Sequence, residues 1–194
     1  RQTYVTGNAV KQAALKCKAQ MLDRAAKLLE RPAEELDTRL GKVIDKATGE
    51  EIGDLRKVAE DMVYHLTEGN TCCHEVGYIP TTNALNYAAT FAIVGVDTET
   101  GQYEVKKLVT CMDCGTLINP QAAMGQLTGG TIMCFGFGTM EQILIDPKTG
   151  RVHNDTLLDY KIPTFADLPP IDAHFIETVE PSSAYGNKSL GEPP

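Results

Sequence analysis

The sequence predicts an α+β fold, on two observations. Stretches with helical spacing and runs rich in β-branched and aromatic residues occupy separate blocks instead of alternating as βα units. The β-rich runs are joined by short turn signals, "KATGE", "TETGQ" and "PKTGR", which suit hairpins. No internal repeat or low-complexity tract is present.

The first helix is expected in "TGNAVKQAALKCKAQMLDRAAKLLERP", where Thr6 and Asn8 offer a cap. Val10, Ala14, Cys17, Met21, Ala25 and Leu28 then follow at helical spacing, and Pro32 stops it. "ELDTRLGKVIDKATGEEI" reads as short strands separated by turns at Gly41 and at Thr48-Gly49. A second helix is expected from Asp54, which caps "LRKVAEDMVYHLTE". From Ala84 to Gly115, two β-rich runs flank the turn Asp97 to Gly101 and read as a hairpin. Asn119-Pro120 opens a glycine-rich apolar helix through "QAAMGQLTGGTIMCFGFGTMEQILI", expected to be buried on most sides. "DPKTGR" is a further turn, and "DYKIPTFADLPP" is an extended, proline-punctuated loop.

At 194 residues with 42% apolar content, the chain has enough material for a buried core. Its net charge of −8 argues against nucleic acid or an anionic membrane as a main partner, since both would repel such a surface. The longest apolar runs, such as Ile132 to Phe137, fall far short of the roughly 20 residues that span a bilayer. Six cysteines are spread over the chain without a secretory leader, which predicts reduced thiols in a cytoplasmic setting. The first residue is Arg1 instead of Met, and the last is Pro194. A piece of a longer coding sequence, truncated at both ends, is the expectation.

Cys111-Met-Asp-Cys114 has the spacing that lets two thiolates share a metal or form a redox pair. A zinc site needs about four ligands, and no second CxxC or HxxxH completes it, so a structural role is expected. Cys72-Cys73-His74 is read the same way. Gly136-Phe-Gly138 has Glu141 where a dinucleotide fingerprint needs its third glycine, which argues against a nicotinamide site. The glycines at 125, 129, 130, 136 and 138 instead suit close approach to a neighbour or a flat ligand lying against the backbone. His65, His153 and His174 have no nucleophile or ligand partner nearby in sequence, and Asp113 beside Gly115 reads as a turn residue. In "SLGEPP", Gly191 permits close approach and Pro193 holds the backbone of Glu192 extended. That framing suits a rigid general base, and it equally suits an ordinary loop.

Taken together, "RQTYVTGNAV", "DCGTLINPQAAMGQLTGGTIMCFGFGTMEQ", "LLDYKIPTFADLPPI" and "GNKSLGEPP" occur in the order seen in molybdenum hydroxylases. The chain resembles the C-terminal part of the molybdopterin-binding large subunit of the xanthine dehydrogenase and aldehyde oxidase family. The resemblance implies one molybdopterin-binding domain over residues 1–194, with helices packed on mixed or antiparallel sheets. It implies that Glu192 of "GEPP" is the catalytic base, taking a proton from the oxygen nucleophile that attacks an electron-poor carbon. It implies that Gln126, with Gly125 before it, bonds the pterin, that Gln2 and Thr3 meet the phosphate region of the cofactor, and that Lys188 belongs to the same cofactor-binding loop region.

The expected cofactor is molybdopterin, the cytosine dinucleotide form included, held without metal ligands from this chain. Iron-sulfur clusters and FAD are expected on partner subunits, together with the remainder of the molybdopterin subunit. The expected reaction is water-dependent hydroxylation of a purine or another N-heterocycle such as nicotinate. An aldehyde oxidoreductase, a non-catalytic assembly module of such a complex and a thiol redox module built on Cys111 and Cys114 are the alternatives. The isolated chain is expected to be inactive.

Overall fold

The first helix begins upstream of its apparent cap. In the computed structural model, which describes residues 2–65 and 71–191, α1 runs Gln2–Leu29. Asn8 lies inside it with its side chain buried. The stop is where the prolines and turn chemistry place it: Glu30 takes a positive φ of 51°, the N–H of Arg31 returns to the carbonyl of Ala26 at 3.1 Å, and Pro32 follows. The apolar stripe is shorter than its spacing suggests. Met21, Leu22, Ala25, Ala26 and Leu29 pack in the core of the following strands and α2, whereas Val10, Ala14 and Leu28 are exposed.

The backbone divides into two compact units, Val5–Ile79 and a second one made of Arg1–Tyr4 with Pro80–Pro194. In the first unit, β1 (Leu36–Arg39), β2 (Lys42–Asp45) and β3 (Glu51–Asp54) form an antiparallel sheet in chain order. α2 (Leu55–Tyr64) follows, with the Asp54 carboxylate accepting the N–H of Arg56 as its cap. Ala25, Leu36, Val43, Val58 and Met62 form the core beneath these elements. The Arg24–Asp61 ion pair, largely shielded from solvent, ties α1 to α2.

All three Asp-x-x-Thr-Gly turns have the same internal bonding. The aspartate oxygen accepts the N–H groups two and three residues on, at 2.8 and 3.0 Å for Asp45, 2.8 and 3.1 Å for Asp97, and 2.7 and 3.1 Å for Asp146. The turn then closes through a glycine in the left-handed region, at φ 73°, 76° and 71°, where a side chain would be strained. These bonds favour the charged carboxylate, and all three groups titrate below the usual range. Asp45 is held at about 2, by the N–H of Thr48 first, then by Arg31 at 2.6 Å and the N–H of Ala47.

A depressed carboxylate contributes stability that is complete above its unfolded value, near 3.9, and that is lost as pH falls through about 2. The expected result is that Asp45→Asn removes part of the acid-side decline in stability without changing the stability slope near neutrality. Chemical denaturation of the protein between about pH 5 and pH 2 measures it, and identical acid-side slopes in the two proteins would contradict it.

In the second unit, β4 (Tyr87–Val96) and β5 (Tyr103–Asp113) pair antiparallel around the Asp97 turn. β6 (Ile171–Phe175) adds to the other edge of β5 in parallel, so the sheet is mixed, with order β4-β5-β6. A parallel pair requires a long crossover, and the connection carries α3 (Pro120–Thr139). Ala123, Leu127, Gly130 and Thr131 form the buried stripe of α3 at helical spacing.

Two expectations for α3 are corrected. It is not buried on most sides, since Met124, Met133 and Phe137 are exposed. Nor does it continue to Ile145. The carbonyl of Gly136 receives both the N–H of Met140 and that of Glu141, at 3.0 and 2.9 Å, which ends the ladder. Beyond it, Asn154 accepts the N–H of Leu144 at 2.8 Å and donates to the carbonyl of Gln142 at 2.5 Å, fixing a separate turn around Asp146. The Gly136–Gly138 pair lies within the helix, with no strand-turn-helix context for a dinucleotide. No helix among the described residues is long and apolar enough to cross a membrane.

Candidate cofactor site

The site is built where β5 ends. Met112 and Cys114 point into a small core with Leu127 of α3, to which Leu117, Ala173, Phe175 and Leu190 add their side chains. Gly115, at φ 71°, then turns the chain, and the segment Gly186–Leu190 returns alongside it. The two stretches are joined at an antiparallel bridge between Gly115 and Asn187. The N–H of Thr116 donates to the carbonyl of Gly186 at 2.9 Å and the N–H of Lys188 to the carbonyl of Cys114 at 2.8 Å. Ser183 donates to the buried Asn187 at 2.7 Å, and Asn86 donates its amide to the carbonyl of Ser189.

α3 begins beside this junction. Pro120 occupies its first turn, where the missing N–H costs nothing, and the Asn119 oxygen accepts the N–H of Ala122 at 3.0 Å. One turn further on, Gln126 is exposed, and no hydrogen bond among the described residues occupies its amide. The start of α1 is fastened to the same unit through Tyr4, which is buried. Its hydroxyl meets Ser182 Oγ at 2.6 Å, and Ser182 in turn donates to Glu180 at 2.5 Å. The Ser182 hydroxyl, then its N–H, hold the Glu180 carboxyl below its ordinary value.

These elements enclose a cavity of about 240 Å³. Thr3 enters from α1, Thr116 and Asn119 from the β5–α3 connection, Gln126 from α3, and Lys188 and Leu190 from the returning segment. Three residues expected at the cofactor, Thr3, Gln126 and Lys188, are thus neighbours in space although they are scattered along the chain. Gln2 and Gly125 do not line this cavity. Gly125 sits on the exposed side of α3 with open space beside its Cα. Glu192 lies outside the described residues, directly after the returning segment. Thr116, Asn119 and Asn187 are cavity residues that sequence reading did not place at the site, although "DCGTLINP" and "GNKS" contain them and Asn119 is read there as a helix start.

The residues present fit a polar, flat heterocycle. Gln126 offers two N–H donors and one acceptor, Thr3 and Thr116 bring hydroxyls, and Leu117, Ile118 and Leu190 supply apolar contact. The volume lies below the ~300–1,000 Å³ typical of a complete small-molecule site.

The cysteines are arranged differently. Cys114 is buried, and burial, followed by the Asp113 charge, pushes its thiol upward, away from the reactive thiolate. Cys111 is half-buried within β5, and none of the six cysteines, all among the described residues, forms a disulfide. Cys72 lies against the carbonyl of Cys17 at 3.6 Å, and His74 meets Gln20 at 2.9 Å. No group of three or more His, Cys, Asp or Glu side chains among the described residues could hold a metal ion.

Comparison with known proteins agrees with this geometry. The family model described as "Molybdopterin cofactor-binding domain" matches residues 1–169. The chain is 38% identical to the xanthine dehydrogenase molybdenum-binding subunit of Escherichia coli O157:H7, over 100% of this chain and 26% of that protein. Among solved structures, quinoline 2-oxidoreductase from Pseudomonas putida 86 superposes with a TM-score of 0.81 at 28% identity, over 99% of this chain and 25% of the other. Reconstituted CO dehydrogenase from Oligotropha carboxidovorans gives a TM-score of 0.82 at 27% identity, over 97% of this chain and 24% of the other. The chain thus spans about a quarter of the length of the relatives it matches. An α+β chain whose cavity is lined by the "DCGTLINP" and "GNKSL" segments, and which matches this model over most of its length, belongs to the molybdopterin cofactor-binding domain family of the molybdenum hydroxylases.

Proposed function

We propose that this chain forms one wall of the molybdenum-cofactor site in the large subunit of a hydroxylase acting on a purine or another N-heterocycle. The observation that carries the reading is the convergence of Thr3, Gln126 and Lys188 on one cavity. Gln126 holds the pterin edge through its amide. Thr3 meets the phosphate end of the cofactor. Lys188 has three N–H donors and commits one to Asp113, so it keeps donors for the cofactor side of its loop.

The molybdenum cofactor, a cytosine dinucleotide form included, supplies two-electron redox chemistry when bound. Glu192 acts as the general base and takes the proton from the water-derived oxygen that attacks the substrate carbon. Gly191 before it and Pro193 after it are the sequence framing that suits a general base of restricted backbone. The apolar wall of Leu117, Ile118 and Leu190 limits water on this side of the site. Electrons leave through iron-sulfur and FAD partners in a cytoplasmic complex. An aldehyde oxidoreductase is the second reading, favoured by the "GEPP" segment that the two branches share.

The test is Gln126→Ala in the complete subunit and its complex. Loss of the amide lowers retention of pterin and molybdenum together, by the ~10–100-fold seen when a supporting hydrogen bond to a metal site is removed. Metal and pterin content after dialysis measure this. Parent-level retention would remove Gln126 from the cradle.

A further inference from the structure

We propose that Asp113 is a positioning residue: by holding Lys188 it fastens the segment Gly186–Leu190, which leads in sequence to the candidate base, against the end of β5. Asp113 is the last residue of β5. One carboxylate oxygen accepts Lys188 Nζ at 2.7 Å. The other accepts the N–H of Gly115 at 2.9 Å and the hydroxyl of Thr178 at 2.8 Å. The two charged side chains are only 16% and 11% exposed, so each is the partner the other needs to remain charged where water is scarce.

Burial by itself pushes the Asp113 carboxyl up. Lys188, Gly115 and Thr178 outweigh it and hold the group below the usual carboxylate range. The centre of the exposed Tyr87 ring, on β4, lies 6.0 Å from the same ammonium.

A bare turn aspartate would bond only its own loop. Asp113 bonds the turn, the segment after β6 and the returning segment, from positions 65 and 75 residues away in the chain. The returning segment is also held at the Lys188 N–H, at the Ser189 carbonyl by Asn86, and at Leu190 by the small core. Among these anchors the ion pair alone carries charge, and charge-assisted hydrogen bonds are roughly twice as strong as neutral ones. Lys188 stands four positions before Glu192 in the sequence, with Ser189, Leu190 and Gly191 between them, so the anchored segment leads directly to the candidate base. This inference rests on the reading of Glu192 as the base.

The experiment uses the complete complex carrying Asp113→Asn, Lys188→Gln, both changes, or Lys188→Arg. Asp113→Asn keeps shape and an acceptor for Gly115 but removes the charge. It is expected to lower kcat by ~10–100-fold, as loss of a supporting partner typically does, while KM and molybdenum content stay near the parent values. Hydrogen exchange, followed by mass spectrometry over residues 186–191, is expected to accelerate in the same variant. The double variant is expected to be no worse than the poorer single one, because Asp113 acts through Lys188.

Parent-like kcat and exchange in Asp113→Asn would overturn the proposal, and so would losses that multiply in the double variant. If Asp113→Asn does not assemble, Lys188→Arg decides. It keeps the charge and is expected to preserve the protection that Lys188→Gln loses, and equal exchange in the two overturns the proposal. Glu192→Gln separates this failure from that of the functional reading: full turnover in Glu192→Gln removes the base, whereas the exchange result still reports on the anchor.

Discussion

Replacing Glu192 by glutamine in the complete complex lowers kcat by ~10²–10⁴-fold, the usual contribution of a general base. Glutamine matches the size of glutamate and keeps a carbonyl acceptor, but it cannot accept a proton at the pH of catalysis. The loss therefore falls on the proton-transfer step. KM is expected to change little, because substrate binding does not require the charge, and molybdenum content is expected to hold, because Gln126 and Thr3 are untouched. Steady-state kinetics on purine and aldehyde substrates, normalised to bound molybdenum, measure the effect. A variant with parent turnover would remove Glu192 from the chemistry, and one that loses molybdenum in proportion to activity would recast it as a cofactor-retaining residue.

The second large effect is expected at Gly115, which lies 77 residues from that base in sequence. Its φ of 71° is one that other residues adopt only at a cost of ~1–3 kcal/mol. Its surroundings are more restrictive still. A Cβ built there would lie 2.5 Å from the carbonyl oxygen of Gly186 and 2.8 Å from the N–H nitrogen of Lys188. Both neighbours are backbone and cannot swing aside as a side chain would. Gly115→Ala must push the returning segment off the end of β5, breaking the Thr116–Gly186 and Lys188–Cys114 bonds together. Turnover is expected to fall further than in Asp113→Asn, with faster exchange over residues 186–191 and a lower melting temperature. Thermal unfolding and exchange measured on the same preparation check both expectations. An alanine variant with parent stability and parent exchange would mean that the two stretches are not packed as described.

The parts of this architecture that were legible in the sequence are those fixed by nearby residues. Asp54 and Asn119-Pro120 start helices where their caps indicate, and each Asp-x-x-Thr-Gly stretch turns where it is written, because donor and acceptor lie within a few residues of one another. What escaped was fixed at long range. α1 begins before its apparent cap because Tyr4 is fastened to Ser182, 178 residues later. β6 pairs in parallel with β5 across a crossover that leaves no local signal. Asp113 looked like a turn residue, and it does accept the N–H of Gly115; its pairing with Lys188 is decided by the fold.

The site followed the same division. Ordered motifs pointed to Thr3, Gln126 and Lys188, and the structure brings all three to one cavity. Gln2 and Gly125, adjacent in sequence to two of them, are turned elsewhere by the helices that carry them, since successive residues on a helix point about 100° apart. The glycines of α3 were read as a means of close approach. Gly136 fits that reading, packed against Glu141 and Pro163, whereas Gly125, Gly129 and Gly138 have open space around them.

The central claim is that this chain supplies part of a molybdenum-cofactor cradle, and the most direct measurement is the metal and pterin content of the purified complex containing the complete subunit. The account predicts molybdenum and pterin in equal amounts, about one of each per large subunit, with both reduced together by Gln126→Ala. A complex that turns over its substrate at full rate while carrying neither molybdenum nor pterin would contradict it.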